Sequence, residues 1–280
     1  MSSEALYTSF SKICSVELTK AYSTSFYVGI RMFSKPLRQP ICAIYGFVRL
    51  ADEIVDTFHE KDKRSLLNQF RLDTISAIEQ KISMNPILHS FQETVNAYQI
   101  PFDLIDAFLK SMEMDLEQNI YNSEEFEKYV YGSAEVVGLM CLHVFTNGNK
   151  SEYLRLELYA KSLGSAFQKI NFLRDLRSDY VERGRVYFPG LNINPMTLES
   201  KLEIEAEIKK EFDHALIGIK QLPKSVRLGV YVAYTYYLNL FKKIKSAEPS
   251  IILSKRFRVN NFHKCVLLFR SWFNIQLRFL

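Results

Sequence analysis

The chain has 280 residues, of which 48% are hydrophobic, and its mean hydropathy of −0.09 suits a globular protein with a sizeable core. Only 10 glycines and 8 prolines interrupt it, which favours helices over the frequent turns of a β-sandwich. The net charge of +5 is mild and the basic residues are scattered, so we expect no nucleic-acid partner.

Helical periodicity dominates the chain from end to end. Turn signals such as Asn85-Pro86 and Asn147-Gly148 separate the periodic segments. The pattern predicts helices over residues 4–31, 40–58, 64–83, 87–98, 102–118, 123–146, 151–180, 197–221, 224–245 and 255–278. We find no internal repeat and no linker-like tract, so we expect one all-α domain over residues 1–280.

The two ends of the chain bear on its location. The N-terminal MSSEALYTSFSKIC lacks the basic and apolar regions of a signal peptide, and no window approaches the roughly 18 apolar residues of a membrane span. The cysteines lie far apart with no C-x-x-C pair, so we expect a cytoplasmic protein. The apolar C-terminus, CVLLFRSWFNIQLRFL, predicts a last core helix or, alternatively, an amphipathic segment on the inner face of the membrane.

A stripe of acids interrupts a helix that otherwise looks buried. In LADEIVDTFH, residues 50–59, Asp52 and Asp56 share a face with Tyr45 and Arg49, within roughly 60° of the helix circumference. Like charges four residues apart repel by a few tenths of a kcal/mol, and burying a carboxylate costs far more. The stripe therefore needs an explanation beyond helix formation.

A second helix repeats the pattern. In GSAFQKINFLRDLRSDY, residues 164–180, a stripe roughly 80° wide contains Gln168, Asn171, Asp175 and Asp179. Apolar side chains fill much of the remaining circumference. A solvated face would be the ordinary interpretation of one isolated D-x-x-x-D, but two such ladders in apolar helices need a partner for their charge.

Divalent cations and phosphate would supply that partner. Buried charges are paired or bind metal, and no group of basic residues is spaced to neutralise four aspartates at once. Magnesium takes oxygen ligands and substrate phosphates, whereas none of the five histidines belongs to a zinc motif. Arginine forks, which suit phosphate oxygens, lie near the stripes at Arg49, Arg174, Arg183 and Arg185. Because the chain has no P-loop motif, we expect a diphosphate attached to an apolar group.

Four segments of the chain resemble the squalene/phytoene synthase family, in the family's order, over roughly residues 20–190. They are YSTSFYVGIRMF, AIYGFVRLADEIVD, YVYGSAEVVGLM and LGSAFQKINFLRDLRSDYVERGRVYFP. The most specific feature is N-x-x-R-D-x-x-x-D followed by R-G-R-x-Y-F-P. The resemblance implies an all-α isoprenoid synthase bundle with a central cavity between helices.

The resemblance also implies a two-step, Mg²⁺-dependent reaction, with Mn²⁺ as the alternative ion. Two allylic prenyl diphosphates join head to head into a cyclopropylcarbinyl diphosphate, which then loses its diphosphate and rearranges. An allylic cation must meet an alkene before it meets water, so the chemistry demands a dry cavity. Aromatic faces can stabilise the positive charge. We expect no NADPH.

Family roles carry over to the positions that match. Asp52, Asp56, Asp175 and Asp179 match the two aspartate-rich motifs, with Glu53 an accepted acid inside the first. Tyr129 matches the first tyrosine of the Y-x-Y element, and we expect it to be catalytic. The positions expected to contact substrate or support the metals are Ser23, Ser25, Phe26, Arg49, Gln168, Asn171, Arg174 and Arg185.

The chain departs from the family at one place. Around residues 133–136 the family usually has small or hydroxyl residues, whereas this chain has Glu135. A glutamate that faced the cavity would contradict a wholly apolar pocket there, so its orientation is left to the structure.

Three alternatives stay open. A catalytically dead helical assembly factor would have little reason to keep all four aspartates, and a chain-elongating prenyl synthase or terpene cyclase would usually carry D-D-x-x-D. Within the family, a C15-using dehydrosqualene or squalene synthase remains the alternative to phytoene synthase. The R-G-R-V-Y-F-P stretch resembles the carotenoid branch more closely, and squalene formation needs hydride from NADPH.

We expect the C20 substrate, geranylgeranyl diphosphate, with phytoene as the product. Ile30 lies one turn beyond Phe26, and Cys42 lies upstream of Arg49 on the next helix. Relatives that use C15 substrates tend to have bulkier, often aromatic, side chains at the matching depth of the cavity. Ile and Cys would leave room for five more carbons.

A peripheral membrane contact is a further expectation, since the product is an insoluble hydrocarbon. The sequence leaves the oligomeric state open.

Overall fold

The computed structural model describes residues 2–117, 120–190, 196–254 and 256–277, which are almost entirely helical, so the all-α prediction is confirmed. None of the helices in these ranges combines the length and apolar composition that a bilayer crossing requires. The elements in chain order are α1 (Ser3–Tyr22), α2 (Thr24–Ile30), α3 (Lys35–Asp56), α4 (Lys63–Gln80), α5 (Pro86–Tyr98), α6 (Phe102–Glu117), α7 (Ser123–Val130), a π-helical turn (Tyr131–Glu135), α8 (Val136–Phe145), α9 (Lys150–Arg183), α10 (Leu198–Gln221), α11 (Lys224–Lys245), α12 (Pro249–Ile252) and α13 (Asn261–Gln276).

The first predicted helical region is divided at Ser23 into α1 and α2. The backbone of Ser23 is outside the helical region (φ −149°, ψ 86°), and its Oγ accepts a hydrogen bond from the backbone N–H of Phe26 at 3.3 Å. A serine hydroxyl that satisfies a free N–H group at the start of a helix stabilises such a break. The break places Ser25 and Phe26 in the first turn of a separate short helix.

The start of α3 also differs from the prediction. The helix begins at Lys35 rather than near residue 40, with Pro36 in its first turn and Pro40 inside it. A proline in the first turn gives up an N–H that has no partner within the helix, and Pro40 removes only one backbone hydrogen bond. At the other end of the chain, the last predicted helix begins only at Asn261, after the short α12.

An aromatic cluster fixes one face of α3 in the core. The ring of Phe47 stacks on that of Phe91 with a centroid distance of 4.0 Å and an interplanar angle of 3°, and Phe70 and Phe108 lie 5.5 Å from it. Burying each such ring stabilises the fold by about 1.5–3 kcal/mol. Because Phe47 points into the core, the opposite face of α3 presents Arg49 and its neighbours to the site.

The longest helix, α9, is about 50 Å long at 1.5 Å per residue. It can approach the π-helical turn closely at Gly164, where a Cβ atom would lie 2.8 Å from the carbonyl oxygen of Ala134. At its other end, Gly184 (φ +66°) adopts the left-handed conformation that terminates many helices. The chain then turns back, and the N–H of Arg185 donates to the carbonyl of Asp179 at 2.8 Å.

A parallel bridge between Ile120 and Val186 aligns the segment after α6 with the segment after α9. It brings the rings of Tyr121 and Tyr187 to a centroid distance of 5.3 Å, and Tyr129 stacks on Tyr187 at 5.1 Å. One tyrosine just before α7, one within α7 and one from the segment after α9 thus form one buried layer.

Candidate active site

Arg49 organises the acidic end of α3. Its Nη1 donates to Oδ2 of Asp52 at 2.6 Å, its other Nη group bonds Glu53, and its guanidinium lies 4.4 Å from the ring centroid of Tyr22. The Nε–H of Arg49 is buried and has no hydrogen-bond partner. Because an unsatisfied buried donor is costly, this N–H suits an oxygen of an anionic ligand.

Two arginines hold Asp175 on the second stripe. The Nε of Arg174 donates to both carboxylate oxygens at 3.1 Å, and the Nε of Arg256, which follows α12, lies 2.6 Å from Oδ1. Arg256 thus reaches α9 from a segment some 80 residues further along the chain. No spacing motif in the sequence indicates this contact.

The amides of the second stripe connect it to α11. The hydroxyl of Tyr237 donates to Oδ1 of Asn171 at 3.2 Å, and Nδ2 of Asn171 donates to Gln168 at 3.4 Å. Tyr237 also stacks on Phe167 with a centroid distance of 3.9 Å. These contacts fix the orientation of both amide side chains along α9.

The two stripes are connected through residues that lie outside α3 and α9. At one end, Nη1 of Arg185 lies 3.4 Å from Oδ1 of Asp56, while its backbone joins it to Asp179. At the other, the pKa of Tyr45 on α3 is raised, chiefly by burial and also by the charges of Asp52 and Tyr237. Arg185 thus links Asp56 of the first stripe to Asp179 of the second.

Arginines pair with three of the four aspartates, although their spacing in the sequence did not indicate a group that neutralises four at once. The pairs are Arg49 with Asp52, Arg185 with Asp56, and both Arg174 and Arg256 with Asp175. Sequence spacing did not show this because Arg185 and Arg256 approach from the loops after α9 and α12. The fourth predicted arginine, Arg183, has a side chain outside the described residues.

The serine and aromatic residues of α2 lie next to this region. The ring of Phe26 is 5.0 Å from that of Tyr45, so Phe26 reaches the first stripe. Ser25 accepts a hydrogen bond from Nζ of Lys264 on α13 at 2.7 Å, and Ser23 caps α2. The structure thus brings Phe26 to the stripe, whereas it engages both serines with protein groups.

Tyr129 is buried and does not touch the predicted aspartates. Its hydroxyl donates to Oδ2 of Asp115 at 2.6 Å, and burial together with this carboxylate raises its pKa well above the ordinary value. Sequence reasoning missed Asp115, which is one of five acids on the amphipathic helix α6. The only available signal was its position between apolar neighbours, Met114 and Leu116.

The donor set fits magnesium held together with a diphosphate. In the part of the chain that the structure describes, no three Asp, Glu, His or Cys side chains converge to hold an ion by themselves. Magnesium is commonly bound by one or two carboxylates with waters and substrate phosphates, so separate carboxylate pairs are compatible with it. The unpartnered Nε–H of Arg49 fits the phosphate part of such a ligand.

Glu135 lines a different cavity, of about 700 Å³, among α7, the π-helical turn, α9 and α10. Lys169, which also lines it, is rotated by about 120° from Asp175 around α9, so this cavity lies on another face of the helix. Burial raises the pKa of Glu135 to about 7, with Lys161 opposing the shift and Glu211 adding to it. The residue that departs from the family pattern therefore lies at a cavity that none of the four aspartates lines.

An all-α bundle with aspartate stripes on two of its helices is typical of the architectural class of the isoprenoid synthases. The family model described as Squalene/phytoene synthase matches residues 19–192, and the chain belongs to that family. The 4,4'-diapophytoene synthase of Staphylococcus haemolyticus is 26% identical over 84% of this chain and 87% of its own length. The phytoene synthase of Arthrospira platensis is 28% identical over 84% of each chain.

Solved structures with the same fold support the architecture. A dehydrosqualene synthase solved with a ligand superposes with a TM-score of 0.80 at 19% identity, covering 96% of this chain and 98% of that one. A squalene synthase from Alicyclobacillus acidocaldarius superposes with a TM-score of 0.75 at 17% identity, covering 90% and 97%. The predicted isoprenoid synthase fold is confirmed.

Replacing Glu135 with glutamine should raise the melting temperature more at pH 8 than at pH 5. The folded-state pKa of Glu135 is about 7 and that of the unfolded chain is near 4.5, so folding loses stability as the pH rises between these values. Glutamine removes that loss. Thermal melts followed by circular dichroism would measure it, with Glu60→Gln in the exposed loop after α3 as the control. A larger gain at pH 5 would contradict the burial of this carboxyl.

Proposed function

We propose that this chain joins two molecules of geranylgeranyl diphosphate head to head to form phytoene, by way of a cyclopropylcarbinyl diphosphate and with Mg²⁺ as the cofactor. Membership of the family supports the reaction class. The observation that carries the proposal is that aspartates of both stripes pair with arginines, and that Arg185 links the two stripes through Asp56 and the backbone of Asp179. That arrangement suits a ligand with several negative charges and accompanying cations.

In the first half-reaction, the carbon–oxygen bond of one substrate breaks and its electron pair leaves with the diphosphate. Arg49, Arg174 and Arg256 would bind the departing oxygens, and the four aspartates of the stripes would hold the metal. When bound, Mg²⁺ would supply Lewis-acid neutralisation of the diphosphate charge. The alkene of the second substrate then attacks the allylic cation, and one proton is lost as the cyclopropane closes.

The aromatic residues have a separate task in this proposal. Phe26 and Tyr45 are neighbours at the border of the acidic region, where their ring faces could stabilise an allylic cation. Tyr129 remains a proposed catalytic residue, although its hydroxyl donates to Asp115 in the described structure. Its high pKa keeps the proton on the hydroxyl, so Tyr129 is suited to donating or accepting a hydrogen bond rather than to acting as a phenolate.

The choice of C20 over C15 rests on space near α2. Ile30 and Cys42 are both in the hydrophobic core, and the thiol of Cys42 is near Thr19 of α1. Gly29 is buried, yet a Cβ atom placed on it would meet no atom within 4 Å, so free volume exists beside this helix. A longer prenyl chain could use that volume. Relatives named for both products match at similar identity.

Asp52→Asn and Asp175→Asn should each lower turnover of prenyl diphosphates by about a hundredfold or more while the fold persists. Loss of a residue that merely supports a metal ligand already costs about 10–100-fold, and the amide removes the charge itself. Product mass and circular dichroism would measure the two effects, and EDTA should abolish the activity of the parent. Asp73→Asn, on the exposed face of α4, is the matched control. Near-normal activity in a folded Asp175→Asn protein would exclude the metal assignment.

Ile30→Phe and Cys42→Trp should lower the ratio of C20 to C15 turnover. Added volume in a packed pocket costs about 1–3 kcal/mol when the ligand needs that space, so the longer chain suffers first. Purified protein with either diphosphate, with and without NADPH, and products identified by mass would give the ratio. Ile105→Phe, at an equally buried site on α6, controls for overpacking alone. An unchanged ratio in both test variants, or a parent that prefers farnesyl diphosphate, would reverse the proposal.

We further propose that α13 rests on an anionic lipid surface. Its exposed apolar residues Phe262, Val266, Phe269, Phe273 and Leu277 lie within about 80° of one another, with the exposed Trp272 beside them. The opposite face is fixed, since Ser271 bonds Thr235 at 2.9 Å on α11. A helix with such an apolar face and basic flanks suits the membrane interface.

The distribution of charge supports a lipid rather than a second copy of the chain as the partner. Residues 249–280 contain six Lys and Arg and no Asp or Glu, whereas the rest of the chain carries 30 basic against 31 acidic residues. A second copy would bring like charges together. The proposed contact surface thus begins at Phe262, before the apolar C-terminal segment that the sequence indicated, while residues 278–280 lie outside the described residues.

Phe269→Glu and Phe273→Glu should abolish flotation with vesicles of phosphatidylcholine and phosphatidylglycerol. Both side chains are exposed, so the substitutions leave the core intact while placing a charge where the lipid would lie. Binding of the parent protein to the vesicles should weaken when salt is added, and also when the vesicles contain phosphatidylcholine alone. Leu72→Glu, at an exposed site on α4, is the control. Equal flotation of all variants would place the contact elsewhere, and a dimer in light scattering that both variants break would favour a second copy.

A further inference from the structure

Asp115 is a buried carboxylate outside both aspartate stripes. It lies near the end of α6, and 9% of the residue is exposed. Burial raises its pKa, opposed by Arg185 and by the hydrogen bond from Tyr129. A buried carboxylate is costly unless it is well compensated, so its partners show what the fold gains from it.

Three tyrosine hydroxyls converge on this carboxylate. Tyr129 donates to Oδ2 at 2.6 Å, while Tyr187 and Tyr121 donate to Oδ1 at 3.2 and 3.3 Å. Their rings stack on one another, and Phe172 of α9 stacks on Tyr187 at a centroid distance of 4.2 Å. The aromatic layer therefore orients every hydroxyl toward one point.

Arg185 links Asp115 to the first stripe. Its Nη2 donates to the backbone carbonyl of Asp115 at 2.8 Å, and its Nη1 lies 3.6 Å from Oδ1 of the same residue. The same Nη1 is 3.4 Å from Oδ1 of Asp56 and 3.4 Å from the hydroxyl of Tyr187. One guanidinium thus bridges a carboxylate of the site and a carboxylate behind it.

We propose that Asp115 is a positioning residue: it holds Arg185 beside Asp56 without touching the substrate itself. The inference rests on the proposed function, in which Asp56 binds a metal ion and Arg185 meets the diphosphate. Binding of a cation by Asp56 competes with its contact to Arg185. The contacts from Asp115 do not compete, so they keep the guanidinium oriented when the ligand arrives.

Asp115→Asn should weaken the binding of inorganic pyrophosphate, with Mg²⁺ present, by about tenfold or more, as expected for loss of a supporting partner. The substitution keeps the shape of the side chain and removes its charge. Isothermal titration calorimetry on the full chain would measure the affinity. Asp106→Asn is the matched control, because Asp106 lies on the same helix and pairs with Arg71 and Lys110 on the far side of α6 from Asp115. It should leave the affinity unchanged.

A double-mutant cycle separates positioning from general stability. If Asp115 acts through Arg185, the variant carrying both Asp115→Asn and Arg185→Met should bind pyrophosphate no worse than Arg185→Met alone. Additive losses of affinity would overturn the proposal, as would an Asp115→Asn protein that binds like the parent. Melting temperatures, measured in parallel, report the effect of each substitution on stability. A loss of pyrophosphate affinity without a matching loss of melting temperature indicates positioning rather than a structural role.

Two tyrosine variants keep the test decisive if Asp115→Asn does not fold. Tyr187→Phe and Tyr121→Phe each remove one hydroxyl from Oδ1 of Asp115, but the Tyr187 hydroxyl also contacts Arg185. The Tyr187 variant should therefore bind pyrophosphate more weakly than the Tyr121 variant. Equal affinities would overturn the proposal.

The binding test also distinguishes failure of the positioning role from failure of the proposed function. A parent that binds pyrophosphate but converts neither the C15 nor the C20 diphosphate would overturn the proposed function. The double-mutant cycle would still test whether Asp115 acts through Arg185 in binding pyrophosphate. A parent that forms phytoene but shows no coupling between Asp115 and Arg185 would overturn the positioning role alone. A parent that binds no pyrophosphate would overturn both.

Discussion

Compensation of carboxylates inside an apolar helical bundle is the constraint on which the rest of this structure depends. An ionised side chain removed from water must find opposite charge or hydrogen-bond donors. Arginine supplies this at Asp52, Asp56 and Asp175, and tyrosine hydroxyls supply it at Asp115. The same arginines that stabilise the free protein are suited to bind a diphosphate, so the requirement of folding and the proposed chemistry use the same side chains.

Segments that follow helices deliver two of these arginines, Arg185 and Arg256. Gly184 ends α9 in a left-handed turn that returns the chain toward Asp179, and this turn places Arg185 between two carboxylates. Arg256 comes from the segment after α12. The helices carry the aspartates together with Arg49 and Arg174, while irregular segments bring Arg185 and Arg256. A change in either loop would therefore alter the electrostatics of the site without touching an aspartate.

Family membership and substrate choice rest on different parts of the molecule. The matched region, residues 19–192, contains both aspartate stripes and defines the reaction class. Chain length would depend on volume beside α2, where a buried glycine leaves space that no side chain fills. Overall identity does not separate the two substrates, since relatives named for phytoene and for diapophytoene match this chain about equally well. A few side chains in a pocket contribute little to overall identity.

The sequence by itself determined the helical class, most helix positions and the two aspartate stripes, because these depend on local periodicity and on residues within one helix. The sequence pattern placed the start of α3 near residue 40, whereas the helix begins at Lys35 and contains Pro40. Whether a helix tolerates an internal proline depends on its surroundings, which the local pattern does not show. Only the tertiary structure decided which arginine meets which aspartate, where Glu135 faces, and that Asp115 joins Tyr129 to Arg185. Those contacts join residues from distant segments, and no local pattern encodes such distances.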